Sequence, residues 1–384
     1  MPKLKILLSG MIAGIPRQGG ASWAVLQYLL GLHQLGHEVH LLEPMSSKAI
    51  QPAGASFLDS SNATYFRQVT GSFDLERTAT LLNTDTQESI GMSYAELSQF
   101  AESCDLLINI SGLLRDRALT SIIPMRVYLD LDPAFTQLWH SVQNVDVGFG
   151  GHNHFVTIGL SVGIPGCLMP TCDLPWITTL QPIVLSHWPV AQRMTHDGLT
   201  TIANWRGYGS IESEGKFYGQ KAHSLRPFFS LPAQTAERFI LALSIHPDER
   251  NDLEKFKNND WQLIDPLSVA DSPASFRRFV QGSKAEFGFA KSGYVISRCG
   301  WFSDRSICYL ASGRPVIAQE TGFSDFLPVG DGLFAFETES DVMESIESLN
   351  RSYAHHCKSA RKLAEEYFDS SKVLNHLLGG IGAI

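Results

Sequence analysis

The stretch "SRCGWFSDRSICYLASGRPVIAQETGF", Ser297–Phe323, contains a Cys-Gly-Trp turn, a helix-like segment and a Gly-Arg-Pro breaker. A strand-like Val-Ile-Ala and a second turn ending in Thr-Gly complete it. Cys299–Phe302 make the first turn. Ser303 or Asp304, both favoured N-cap types, opens a helix that runs to about Ser312. Gly313 and Pro315 stop that helix, a strand follows, and Thr321–Gly322 turn back at the same edge of the sheet. In an open parallel sheet, ligands bind beyond the carboxyl ends of the strands, where loops lead into helix N-termini. Such an N-terminus presents unpaired backbone N–H groups and a partial positive charge, which suit phosphate. The run therefore predicts an anion-binding edge at Ser303, Asp304, Thr321 and Gly322, flanked by Arg298 and Arg305.

Outward from this run, strands and helices alternate. Lys3–Leu8 is almost continuously apolar, as a strand covered on both faces must be. A loop containing Gly19 and Gly20 follows it, then a helix on which Trp23, Leu26, Leu29 and Leu30 recur at helical spacing. Gly36 ends the helix and "HEVHLLE" returns as a strand, the crossover unit that parallel strands require. Residues 44–90 give no clear elements. Order resumes with a helix near Ser93–Glu102 and the strands "DLLINI" and "MRVYLDLD". The proline-punctuated tract at roughly 165–190 is the expected interdomain crossing. Beyond it, "LTTIANW", "WQLID", "AEFGFA" and "GLFAF" read as strands. "RGYGSIESEGKFYGQK" reads as a glycine-rich loop carrying Lys216, "LPAQTAERFILALS" as a helix, and residues 338–378 as helices. Thr338 and Asp341 have the spacing of a capping pair. The alternation in both halves predicts an α/β protein of two doubly wound, Rossmann-like domains facing a cleft.

A length of 384 residues exceeds what a single core comfortably serves. The net charge of −9 argues against a nucleic-acid or anionic-membrane partner. Six cysteines without a CxxC pair predict reduced thiols and a cytoplasmic location. No apolar run reaches the length of a transmembrane span.

The Ser297–Phe323 run resembles the donor-binding segment of nucleotide-sugar glycosyltransferases of the GT-B fold. Cys299, Gly300, Trp301 and Ser303 match that family's turn, and Ala311, Gly313, Pro315 and Val316 match its helix exit. Gly19–Gly20 and "GHEV" at 36–39 match its amino-terminal pattern. Two positions depart. Arg298 stands where the family has a diphosphate-binding histidine, and neither Ser306 nor Cys308 supplies the usual ribose-binding glutamate. The resemblance implies residues 1–185 as an acceptor-side domain and 186–365 as a nucleotide-sugar-binding domain. Residues 366–384 would form a helix packing back on the first domain.

It further implies a metal-independent, cofactor-free transfer of a sugar from a nucleotide-diphosphate donor to a hydroxyl of a small-molecule, lipid or glycan acceptor. Donor contacts would come from Gly19, Gly20, Lys216, Arg298, Ser303, Asp304, Arg305, Thr321 and Gly322. Asp132, His152 or His154 would take the acceptor proton. Asp130 and Asp132 sit one residue apart on a strand and share a face, which permits metal ligation, but the GT-B features point away from it. Histidines 152 and 154 with Cys167 and Cys172 match no compact zinc spacing. Glu43 ends the second strand where a dinucleotide-binding domain has its ribose acid, but the glycine fingerprint is absent, so a nicotinamide enzyme is disfavoured. The missing glutamate leaves a non-catalytic binding protein of the same fold as an alternative, with a nucleotide-sugar epimerase as another.

Overall fold

A computed structural model describes residues 2–384. The first half builds an eight-stranded sheet from β1 (Lys5–Ser9), β2 (Glu38–Met45), β3 (Ala79–Asn83), β4 (Ser89–Ile90), β5 (Leu106–Ile110), β6 (Met125–Asp130), β7 (His154–Thr157) and β8 (Trp176–Thr178). Their spatial order is β4-β3-β2-β1-β5-β6-β7-β8, parallel throughout except for the β3–β4 pair. The second half contains β9 (His196–Asn204), β10 (Ile211–Ser213), β11 (Lys216–Tyr218), β12 (Phe239–Ser244), β13 (Gln262–Ile264), β14 (Ser283–Gly288), β15 (Val316–Gln319) and β16 (Leu333–Phe336). Six of these form a parallel sheet in the order β13-β12-β9-β14-β15-β16, and β10–β11 is a separate antiparallel hairpin. Strand order reverses between β1 and β5 in one sheet and between β9 and β14 in the other. These are the switch points at which open α/β sheets bind ligands. The expected fold of two doubly wound lobes is present.

Local chemistry accounts for the elements. The helix Gly19–Gln34 buries Trp23, Leu26, Leu29 and Leu30, and Gly36 beyond it holds φ +87°. Thr338 and Asp341 form the expected capping box at the start of the Glu339–Arg351 helix. Leu231–Ser244, which the sequence suggests as a helix, is instead a short 3-10 turn followed by β12. Phe239–Leu243 is an unbroken apolar run buried between β9 and β13, and such a run carries no period that separates strand from helix. The glycine-rich segment after β9 is the β10–β11 hairpin. Its connecting residues Glu214 (φ +50°) and Gly215 (φ +72°) are both left-handed, as a two-residue hairpin turn favours. Within residues 44–90 lie the helix Ser61–Gly71, β3 and β4.

The lobes share a core. Trp23 of the first lobe lies 5.0 Å from Trp188, which in turn lies 6.2 Å from Phe276 of the second. The Trp23 indole N–H donates to the Pro273 carbonyl at 2.8 Å. Gly19 is indispensable to this contact, because a Cβ there would stand 2.1 Å from the Ser272 carbonyl oxygen. The carboxy-terminal helix Ser370–Gly380 lies against the Gly19–Gln34 helix, where a Cβ on Gly31 would come within 2.6 Å of Leu374.

Candidate functional site

A cavity of about 870 Å³ lies between the lobes. Arg17, Gln18, Gly20 and Ala21, after β1, line it on one side. On the other side stand the carboxyl ends of β9, β12 and β13, together with Gln220, Lys221, Lys291, Asp304 and Arg305. Its charged lining consists of Arg17, Lys221, Lys291 and Arg305 against Asp265 and Asp304. Asp265 is occupied, since it caps the helix Pro266–Ala270 by accepting from Leu267 N at 2.9 Å.

Two of these cations face the space ready for an anion. Arg305 is buried, with its Nε on Glu286 and its Nη1 donating to the Ile202 carbonyl at 2.9 Å. Those contacts fix the guanidinium plane, and Nη2 has no protein partner among the described residues. Glu286 is fully buried, and its second carboxylate oxygen is unpartnered. The ammonium of Lys221, the first residue of the Lys221–Leu225 helix, makes no hydrogen bond or ion pair among the described residues and stands 5.4 Å from the Phe289 ring centroid. Burial, and then the nearby Arg305, push its ammonium down to about 7. A buried amine that lacks a counter-ion is costly unless a ligand supplies one.

The sequence-predicted donor residues divide. Gly20, Asp304 and Arg305 line the cavity. Asp304 opens the helix Asp304–Ala311 as expected, placing that N-terminus on the cavity wall. Gly19 serves the lobe contact described above. Lys216 lies instead on the exposed β10–β11 hairpin, outside the cavity. Lys221, five residues further on, has the place expected for it. A reading of Glu214–Gly215 as a hairpin turn would have moved the assignment to Lys221.

Arg298 also departs from expectation. Its backbone is left-handed (φ +48°), and its side chain is out in solvent near Glu337 (3.3 Å) and Asp325 (4.0 Å). The two turns are bonded to each other. Gly300 N donates to the Thr321 carbonyl at 2.8 Å, the Thr321 hydroxyl donates to the Trp301 carbonyl, and Gly322 N donates to Glu320. Ser303 is buried beside the helix start, outside the main cavity. Cys299 packs in an apolar cluster with Phe135, Leu138 and Tyr294, and its carbonyl accepts from Ser161 N of the first lobe at 3.0 Å. The bend is thus a lobe-to-lobe joint, and only its exit into the helix reaches the cavity. Ser306 and Cys308 are buried, so Asp304 is the acid of this segment that faces the cavity.

On the first lobe, Asp132 follows β6 at its carboxyl end and reaches across to the second lobe. It pairs with Lys291 at 3.1 Å and accepts from the hydroxyls of Tyr208 and Tyr294. Asp130 is fully buried and is consumed by Thr136, Gln137, Thr157 and the backbone of Asp132, so the two aspartates do not share a ligand space. His152 and His154 precede or begin β7, at the amino edge of the sheet, opposite the cavity. His152 bonds to Asn109 at 3.0 Å and His154 to Asn153 at 2.9 Å. Neither lines the cavity. Glu43 is buried at the end of β2 and accepts from the amides of Ile12, Ala13 and Gly14 at 2.6–2.9 Å, which holds the loop ahead of the Gly19 helix. Burial outweighs those three donors and lifts its carboxyl to about 7.

Paired lobes with a cavity between their switch points define the GT-B architecture, and solved structures agree. The chain superposes on an alpha-glucosyltransferase in complex with UDP-glucose and abasic DNA with a TM-score of 0.64 and 13% identity, over 99% of this chain and 100% of that one. HepE from Anabaena, in complex with UDP and glucose, gives 0.58 and 11% over 99% and 100%. Sucrose-phosphate synthase from Thermosynechococcus elongatus gives 0.55 and 10% over 99% of each chain. Comparison with protein-family models and with curated proteins found no match. No helix among the described residues is long and apolar enough to cross a membrane.

Proposed function

We propose that the protein transfers a sugar from a nucleoside-diphosphate donor to a hydroxyl acceptor. The observation that carries this reading is Lys221, a half-buried amine without a counter-ion on the cavity wall beside Arg305 and the N-terminus of the Asp304–Ala311 helix. A diphosphate supplies what these groups lack, with Arg305 Nη2 and Lys221 on its oxygens and Asp304 near the ribose hydroxyls. The same groups neutralise the charge that grows on the leaving diphosphate, without recourse to a metal ion or cofactor. The first lobe brings the acceptor, with Asp132, the partner of the cavity-lining Lys291, as its acid. Although three solved structures of an alpha-glucosyltransferase among the neighbours hold DNA, a net charge of −9 favours a small-molecule, lipid or glycan acceptor over a nucleic acid. The reduced cysteines are in keeping with a cytoplasmic enzyme.

Calorimetry with a panel of nucleoside diphosphates tests the reading, beginning with UDP, which structural neighbours hold. One nucleotide should bind and lose affinity in Lys221→Met; silence across the panel overturns it. Product analysis with the sugar donor alone separates a transferase from an epimerase, and binding without turnover over a broad acceptor screen would instead mark a binding protein.

A further inference from the structure

Asp132 has no first-lobe side-chain partner among the described residues. Its carboxylate is held from across the cleft, by Lys291 Nζ at 3.1 and 3.2 Å and by the phenols of Tyr208 and Tyr294. Lys291 Nζ also donates to the hydroxyls of Tyr208 and, at 3.2 Å, Tyr294, and lies 4.9 Å from the Phe135 ring centroid. With an ammonium and two phenol hydroxyls on its two oxygens, this carboxylate has little room left for an acceptor hydroxyl. Yet Lys291 and Tyr208 line the cavity that Lys221 and Arg305 also line, and Asp132 does not. Lys291 is therefore the member of the pair that borders the ligand space, with 17% of its side chain exposed against 25% for Asp132.

We infer that Lys291 is a shared counter-ion: it masks Asp132 while the cleft is empty, and turns to the donor's diphosphate when the cleft fills, leaving Asp132 with its two phenol partners alone and open to the acceptor's proton. This inference rests on the reading of the cavity as a donor site. A diphosphate carries more negative charge than one carboxylate and offers several oxygens, so it outcompetes Asp132 for a single ammonium. Burial already lowers the Lys291 pKa and Asp132 opposes that effect, so the lysine requires an anion in either position. In the step that follows, the acceptor oxygen bonds to the anomeric carbon as the bond from that carbon to the diphosphate oxygen breaks. The electron pair departs with the diphosphate, held by Lys221, Arg305 and Lys291, and the hydroxyl proton passes to Asp132. Donor binding would then be what activates the base, so an empty cleft would hold no reactive carboxylate.

Titration calorimetry with the nucleoside diphosphate that binds the wild-type chain tests this. Asp132→Asn frees Lys291 and removes a competing anion, so affinity should rise about threefold to tenfold while transfer is abolished. Lys291→Met should weaken binding, and should weaken it more in the Asp132→Asn background than in the wild type, because only there is the ammonium uncommitted. Lys291→Gln, which keeps a polar head, provides the same measurement if the methionine variant unfolds. A purely structural latch would give the opposite sign, with Asp132→Asn loosening the lobes and weakening the nucleotide. Unchanged or weaker binding in Asp132→Asn, with wild-type binding intact, overturns the shared counter-ion and leaves the donor site standing. Absence of nucleotide binding in the wild type removes both.

Discussion

The two lobes repeat one architecture but treat their buried charges in opposite ways. At the carboxyl ends of the first sheet, Glu43 is used up by three loop amides and Asp130 by neighbouring hydroxyl, amide and backbone donors. At the corresponding ends of the second sheet, Lys221 and one edge of Arg305 have no protein partner and open onto the cavity. Strand-end geometry alone therefore does not make a binding site. The lobe that leaves cationic groups unsatisfied is the one equipped to hold an anion, and the lobe that satisfies Glu43 and Asp130 internally has made a rigid support.

The largest expected effect lies in Arg305→Met, which strands Glu286 as a buried, unpaired carboxylate. Chemical denaturation should show a loss of about 3–5 kcal/mol, together with weaker nucleotide binding. A loss below about 1 kcal/mol would mean that Glu286 is not held as an ion pair. Lys221→Met should separate the two properties. Nucleotide binding falls by about 3 kcal/mol, roughly a hundredfold in Kd, while the unfolding free energy stays level or rises because a buried cation is gone. On the first lobe the pattern should invert. Glu43→Gln turns an amide donor toward backbone donors and lowers stability by about 1–3 kcal/mol, with a far smaller change in nucleotide affinity than Lys221→Met. Equal losses of affinity in the two variants would erase the contrast between the lobes.

The smallest effect is in pH. With the free Lys221 ammonium titrating at about 7 and a diphosphate favouring its charged form, binding above pH 7 must take up a proton. Affinity should be level below pH 7 and fall above it, by at most about tenfold per pH unit. Calorimetry in buffers of different ionisation enthalpy reads that proton directly, and Lys221→Met should abolish the slope.

Much of the fold is legible along the chain. The apolar run at Lys5–Ser9, the strand read at "AEFGFA", the Trp23–Leu30 helical stripe and the Thr338 capping box are each local, and each appears close to where the sequence implies. The failure at Phe239–Ser244 is also local in origin, since a strand buried on both faces carries no alternation to distinguish it. Of the site, Asp304 and Arg305 were found because a turn-to-helix junction has a sequence signature. Lys221 and Lys291 were missed because, although each stands at a helix start, lysine is not a residue type that marks one. His152 and His154 were chosen by residue type, and the direction of β7 then carried them to the far edge of the sheet.

From the residues alone came two doubly wound lobes, their order, and one phosphate-suited helix start, because hydrophobic period, caps and breakers act over a few neighbouring positions. Which lysines face the cleft, which acids are already satisfied, and that Asp132 meets Lys291 were decided by tertiary structure. Counter-ions separated by 159 positions in the chain are paired by folding, and whether a buried charge is content or unsatisfied depends on that pairing.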